Sequence, residues 1–233
     1  MQIIFFGTPE YVVPILEHLF KLENVVCAVS RSDKPSGRHL QSVPSPIKKV
    51  ASEKNIPVLT PENFKDKDFN RYLSTINCQL AIVAAYGKIL PKEVLEVFPL
   101  GCVNLHFSLL PKYRGAAPIQ RAVINGEKET GVTSFFIDES LDTGKIISQK
   151  KIEIEKNDDA VSLHKKLIPV AIDVLSETLE KIKNGFKGIA QTGEPSYAPL
   201  LKKEDGKINW NKSAEEIHNL IRGTKPWPSA YTA

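Results

Sequence analysis

Four short apolar runs organise the first half of the chain: Ile3–Phe6, Val25–Val29, Leu80–Ala85 and Cys102–Leu105. Each is mostly continuous rather than alternating, the pattern of strands buried on both faces of a parallel sheet. Segments with helical spacing separate them: Tyr11–Lys21, with Val13, Leu16, Leu19 and Phe20 on one stripe, then Ile47–Lys54, Phe69–Ser74 and Lys92–Phe98. Strand alternating with helix predicts an α/β architecture, a doubly wound, mostly parallel sheet with helices on both faces. Ser45-Pro46 reads as a helix start, with serine as N-cap and proline in the first turn.

The pattern changes in the second half. Val132–Ile137 and Ile146–Ile154 read as strands, the latter alternating through Ile152-Glu153-Ile154. A long helix is expected from about Asp159 to Lys183, capped by Asp158 or Asp159, kinked at Pro169 and ended by Asn184-Gly185. Beyond Gly188 the periodicity fades. Gln191–Trp210 reads as extended chain, Ser213–Arg222 as a short helix capped by Ser213, and Lys225-Pro226-Trp227-Pro228 as a rigid segment outside any core. The expected division is residues 1–190 as the α/β domain and 191–233 as an extended linker, with no internal repeat or low-complexity tract.

A length of 233 residues suits one large domain with an appendage, and 42% apolar with 25% charged residues excludes disorder, collagen or coiled coil as the main architecture. No apolar run approaches the roughly 18 residues of a membrane span. The N-terminus lacks a basic region and a cleavage site, so a cytoplasmic protein is expected. Cys27, Cys78 and Cys102 each lie in or beside an apolar run, which fits reduced core thiols better than disulfides or a metal set. The net charge of +4 is concentrated in one place. Between Arg31 and Val50 stand Arg31, Lys34, Arg38, Lys48 and Lys49 against the single acid Asp33, so the rest of the chain is neutral. A clustered field of this kind attracts a polyanion across a Debye length of about 8 Å. A solvated basic loop has the same composition.

Familiar motifs are absent. The turn after the first strand, Gly7-Thr8-Pro9-Glu10, is not a dinucleotide-binding GxGxxG, and the chain holds no GxxxxGK[ST], HExxH, CxxC or GxSxG. What remains is Asn104-Leu105-His106 at the end of an apolar strand, running into Phe107-Ser108-Leu109-Leu110-Pro111-Lys112-Tyr113-Arg114-Gly115. Asn104 and His106 are two apart on a strand and share a face, at the edge where open α/β sheets place their ligands. Downstream, Asp138-Glu139-Ser140-Leu141-Asp142-Thr143-Gly144 follows another strand. These groups suit acyl transfer to an amine without a covalent intermediate: Asn104 and protonated His106 as oxyanion donors, Asp142 to hold His106 cationic and assist proton transfer. Ser108 has no evident base, and direct attack by the amine is simpler than a ping-pong route.

The run NLHFSLLPKYRGAAPIQ with DESLDTG about thirty residues on resembles the signature of formyltransferases that use 10-formyltetrahydrofolate. The resemblance implies the formyltransferase fold, a catalytic trio of Asn104, His106 and Asp142, and no metal. It carries the folate pocket onto Ser108, Leu109, Leu110 and Pro111. It also carries a pterin-lining segment, whose backbone groups meet the ring, onto Ala84–Pro91 with Tyr86, Gly87 and Ile89. Three features resemble the members that formylate initiator methionyl-tRNA: the opening Phe6-Gly7-Thr8-Pro9-Glu10, though Tyr11 stands where Phe is usual; the insert DKPSGRHLQSVPSP; and Tyr197-Ala198-Pro199, Lys207-Ile208-Asn209-Trp210 and Pro226-Trp227-Pro228. In those members the insert approaches the acceptor stem, a role that falls on Lys34 and Arg38. Amino-sugar formyltransferases, which share the trio and the folate donor, are the alternative, and a folate- or RNA-binding module without turnover is a third. A monomer is expected, and the family places after the linker an OB-like C-terminal domain that is expected to be missing here.

Overall fold

The computed structural model describes residues 1–36 and 41–232. In chain order the elements are β1 (Gln2–Gly7), α1 (Val13–Leu22), β2 (Asn24–Val29), β3 (Lys34–Ser36), β4 (Gln41–Val43), α2 (Pro46–Glu53), β5 (Val58–Leu59), α3 (Lys67–Thr75) and β6 (Leu80–Ala84). They continue with α4 (Lys92–Leu95), β7 (Cys102–His106), α5 (Pro118–Ile124), β8 (Glu129–Phe136), β9 (Ile146–Glu153), α6 (Ala160–Lys183) and α7 (Ala214–Gly223). The main sheet runs β5-β2-β1-β6-β7-β8-β9. It is parallel from β5 to β7 and antiparallel across β8 and β9.

The four continuous apolar runs are β1, β2, β6 and β7, the parallel centre, because helices cover both of its faces. Ile3 and Phe5 pack on one side with Leu16 of α1 and Leu167 and Leu175 of α6. Ile4 and Phe6 pack on the other with Phe69 and Leu73 of α3 and Val94 of α4. Strand β9, at the sheet edge, alternates because only one face meets α6. Its antiparallel pairing lets Asp138–Gly144 work as a hairpin turn. Gly144 is required there, since a Cβ would stand 1.6 Å from the Phe136 carbonyl oxygen.

The chain steps outward from β1 to β2 and β5, then crosses back over β1 to β6 and β7. At such a reversal neighbouring connections leave on opposite faces and a crevice opens outside the carboxyl ends of the strands.

Ser45 caps α2 as expected, accepting from the Lys48 N–H at 3.1 Å. Asp159 caps α6 through a reciprocal box with Ser162, and α6 runs on through Pro169 for 24 residues. Helix α4 stops at Leu95 rather than Phe98, because Phe98 precedes Pro99 and is biased away from helical dihedrals. The seven-residue α5, unforeseen in the sequence, starts at Pro118 and buries Ile119, Ala122 and Val123 at helical spacing. Beyond Gln191 the chain is extended except for a 3-10 helix over Lys203–Gly206, unforeseen in the sequence, and then forms α7. It is fastened to the body by Arg121–Asp205 at 3.1 Å and by Arg222 Nη1 donating to the Asp158 carbonyl at 2.7 Å. All three cysteines are buried and unpaired, and burial pushes the Cys27 thiol up to about 12. No described helix is long and apolar enough to cross a membrane.

His164 of α6 lies against the rings of Tyr11 (centroids 3.8 Å apart) and Phe107 (5.6 Å), its Nε2 buried without a partner among the described residues. Burial lowers its pKa from the ordinary 6.5 to about 4. Between those values the unfolded chain binds a proton that the folded chain refuses, so this group's contribution to stability falls as pH drops from 6.5 towards 4. The loss amounts to as much as roughly 3 kcal/mol. His164→Phe should flatten that part of the profile, measured by urea unfolding at pH 7 and pH 4.5. An equal loss in both proteins would remove His164 as its source.

Candidate active site

Strand β7 carries Asn104 and His106 on one face, and the chain turns sharply away after His106. His106 is 5% exposed. Its Nε2 donates to the Tyr113 carbonyl at 2.8 Å, and its Nδ1 lies 3.7 Å from Asp142 Oδ2. A carbonyl oxygen only accepts, so the proton on Nε2 is fixed and Nδ1 is the nitrogen left to gain or release one. Asp142 Oδ2 also accepts from the Gly115 N–H at 2.7 Å, which aims the carboxylate at the imidazole. The edge of the His106 ring meets Phe135, centroids 6.4 Å apart. The Asn104 side chain is partly exposed and has no hydrogen-bond partner among the described residues, leaving its amide open to a ligand. The structure thus brings the Asp142 carboxylate to His106, beside Asn104 on the same face of β7, although the turn that carries Asp142 leaves β8 opposite Val103 at the start of β7.

Both supports of His106 have unusual backbones. Tyr113 has φ +61° and Asp142 φ +53°, left-handed conformations that cost a residue with a Cβ about 1 kcal/mol or more.

The expected folate residues divide by role. Ser108 is buried, and its hydroxyl donates to the Lys112 carbonyl at 2.6 Å, so its side chain shapes the loop rather than facing a ligand. Leu110 is buried. Leu109 and Pro111 line a cavity of about 280 Å³ with Tyr113, Glu127 and Thr192, which no member of the trio lines. Tyr86 places its ring in the core, edge-on to Phe6 with centroids 5.4 Å apart, and offers only its backbone to the crevice; its carbonyl accepts from Thr8 Oγ1 at 3.2 Å. Gly87 is exposed at φ +78°, and Ile89 is 83% exposed, an apolar side chain held out from the turn. Lys88 pins this turn by donating to the carbonyls of Pro61 and Glu62, each at 2.7 Å.

The basic insert leaves the carboxyl end of β2, on the same edge of the sheet as His106. Lys34 lies in β3, while Arg38 lies outside the described residues. Lys48 pairs with Asp33 at 2.7 Å and so neutralises the segment's one acid.

A family model described as "Formyl transferase" matches residues 1–179. The chain belongs to the formyl transferase family. A second model of that family, described as "Formyl transferase, C-terminal domain", matches residues 200–233. The methionyl-tRNA formyltransferase of Thermodesulfovibrio yellowstonii is 54% identical over 99% of this chain and 75% of its own length. That of Caldanaerobacter subterraneus subsp. tengcongensis is 48% identical over 100% of this chain and 76% of its own. Among solved structures, the N-formyltransferase of Helicobacter canadensis in complex with folinic acid and dTDP-3-aminofucose is similar, with 25% identity. Its TM-score is 0.74, over 95% of this chain and 79% of that one.

Sequence reasoning missed the groups that hold this formyl transferase site in shape. Thr133 of β8 is fully buried. Its hydroxyl donates to the Ser108 carbonyl at 2.6 Å and accepts from the Leu110 N–H at 3.2 Å and from Gln149 Nε2 at 2.8 Å. One hydroxyl thus fixes both ends of the Ser108–Leu110 turn. Thr133 sits in a run of β-branched and small residues that any core strand could carry, so no signal marked it. Thr133→Val keeps the shape and strips three hydrogen bonds, leaving the Leu110 N–H buried without this partner. Urea unfolding should show a loss of about 2 kcal/mol or more, and a loss under about 0.5 kcal/mol would mean the turn is held by other means.

Proposed function

We propose that this chain transfers the formyl group of 10-formyltetrahydrofolate to the amino group of methionine on initiator methionyl-tRNA. The observation that carries the chemistry is the histidine fixed at Nε2 by a carbonyl and facing a carboxylate at Nδ1. The acceptor rests on the 54% and 48% identity, over almost the whole chain, to two methionyl-tRNA formyltransferases.

The folate supplies a formyl group bonded to a nitrogen that leaves. The turn after β6 suits its ring system: the positive φ of Ala85 and Gly87 turns backbone groups outward, and exposed Ile89 offers an apolar surface. Asn104 lends its amide N–H, and His106 its Nδ1–H, to the formyl oxygen as the incoming amine pushes charge onto it. Asp142 steadies the imidazolium through the 3.7 Å pair and takes up the proton shed by the attacking nitrogen, which passes through His106 to the departing nitrogen. The C–N bond to the acceptor forms as the C–N bond to the donor breaks, and the proton crosses the same way, so atoms and charge balance. No nucleophile of the protein takes part. The buried thiols stay protonated at neutral pH.

Incubation with labelled 10-formyltetrahydrofolate and separate acceptors tests the reading: methionyl-tRNA should gain label, whereas a nucleotide-linked amino sugar and water should not. Label on the sugar alone would replace the proposed acceptor. His106→Ala should lower kcat/KM by at least about 10²-fold, the scale of one lost oxyanion donor. Asp142→Asn, which keeps an acceptor for the Gly115 N–H and removes the charge, should do the same. Near-native rates in folded variants would take those residues out of the chemistry.

The basic insert supplies phosphate contacts in this reading. Lys34→Ala with Arg38→Ala should raise KM for methionyl-tRNA and make the salt dependence of binding shallower by about one unit of slope per lost contact. Folate binding should be unchanged. An unaltered KM and slope would leave the insert without that role.

A further inference from the structure

The two groups that hold His106 belong to strained residues, and each strained residue is itself held by the segment Gln191–Ala198. Ser196 Oγ accepts from the Tyr113 N–H at 2.9 Å, and the Ser196 carbonyl accepts from the Arg114 N–H at 2.8 Å. The Ala198 N–H donates to the Arg114 carbonyl at 2.7 Å, and the Ala117 N–H donates to the Ala198 carbonyl at 3.0 Å. The catalytic loop from Tyr113 to Ala117 is therefore laced to this segment as a strand is to its neighbour. Gly115 allows the approach, since a Cβ there would stand 2.7 Å from the Ala198 carbonyl oxygen.

Gln191 closes the circuit on the other side of the imidazole. Its Nε2 donates to the Asp142 carbonyl at 2.8 Å and to the Gly144 carbonyl at 2.9 Å, while its Oε1 accepts from Arg114 Nη2 at 2.6 Å and from Nε at 3.3 Å. One amide side chain thus spans the two loops whose groups meet at His106. The side chain of Tyr113 is anchored as well, its hydroxyl donating to Glu127 at 2.8 Å and accepting from Asn125 at 3.1 Å.

We infer that Gln191 and Ser196 are positioning residues for the catalytic histidine, setting its tautomer through Tyr113 and its distance to the carboxylate through Asp142. The inference deepens the proposed formyl transfer and rests on it for its kinetic readout. Neither residue reaches the reacting atoms. Each stabilises a left-handed backbone that would otherwise relax, and relaxation at Tyr113 withdraws the carbonyl that pins Nε2. Once that carbonyl is gone the imidazole proton can sit on either nitrogen, and the share of molecules with Nδ1 poised towards Asp142 falls. Misplacement of about 1 Å at such a site costs up to about 10²-fold in rate.

The test uses Ser196→Ala, Ser196→Thr, Gln191→Met and Gln191→Glu in the full chain. Gln191→Met keeps the shape and removes every hydrogen bond. Gln191→Glu keeps the acceptor for Arg114 and removes the donor to Asp142 and Gly144, so it separates the two halves of the bridge if Gln191→Met fails to fold. Ser196→Ala, Gln191→Met and Gln191→Glu should lower kcat by about tenfold or more with KM for the folate within about threefold. Ser196→Thr, which restores a hydroxyl, should recover most of the wild-type kcat. Nitrogen-15 chemical shifts of the His106 ring give a readout independent of any acceptor: the neutral imidazole of the wild type should show the Nε2–H tautomer and that of Ser196→Ala a mixture. Wild-type ring shifts in folded Ser196→Ala and Gln191→Glu, or a fall in Tm with kcat unchanged, would overturn the inference. Absence of formyl transfer by the wild type would instead defeat the proposed function and leave the tautomer measurement to decide this one.

Discussion

The loop after β7 and the turn after β8 converge on one imidazole, whose two nitrogens meet the Tyr113 carbonyl and the Asp142 carboxylate. A neutral histidine carries one proton that either nitrogen can take, and in water the choice is nearly free. The Tyr113 carbonyl at 2.8 Å removes that freedom, because an oxygen acceptor against a bare Nε2 would be repulsive. The remaining nitrogen faces Asp142 in a buried setting, where attraction between imidazolium and carboxylate is less screened than at a surface. The arrangement requires Tyr113 and Asp142 to adopt backbones that are unfavourable by themselves. Gln191 and Ser196, from the chain beyond α6, hydrogen-bond to those two backbones.

The sheet topology explains why the site lies here. Reversal of strand order between β1 and β6 opens the crevice, and the connections after β1, β6 and β7 form its rim. Thr8, at the end of β1, donates to the Tyr86 carbonyl at the end of β6 and accepts from the Arg31 N–H after β2, so three carboxyl ends are tied at one hydroxyl. The basic insert departs from that knot. In the proposed reading a neutral body and a positive segment separate two tasks: the body would bind an uncharged ring system by shape and backbone groups, and the insert would attract phosphates over a longer range. The two antiparallel strands β8 and β9 end the parallel series and supply the turn that carries Asp142, which a further parallel strand and crossover helix could not have placed so close to β7.

The parts of this fold that were legible in the sequence are those whose pattern follows from burial alone. Continuous apolar runs marked β1, β2, β6 and β7 because both their faces are covered, and the alternation in Ile152-Glu153-Ile154 marked β9 because one face is not. Asn104 and His106 stood out as polar groups at the end of an apolar strand and Asp142 as part of a polar turn, and the resemblance joined the three as a trio. What the Ser108 hydroxyl does was not legible: it is spent within its own loop on the Lys112 carbonyl, a local hydrogen bond that composition does not reveal. Helix α5 escaped notice because seven residues show too little periodicity, and its partner α7 lies almost a hundred residues away.

By itself the sequence determined the alternation of strand and helix, the two-sided core, the polar trio and the location of the charge, since each follows from residue type and near-neighbour spacing. Tertiary structure decided the protonation geometry of His106 and the residues that enforce it. Gln191 is 77 positions from Arg114 and 49 from Asp142, yet one amide bridges both. Ser196 is 83 positions from the Tyr113 N–H it accepts. Hydrogen bonds over such separations leave no periodicity and need no special residue type, because any amide or hydroxyl with the right reach would serve. They exist only where the fold has already brought the loops together.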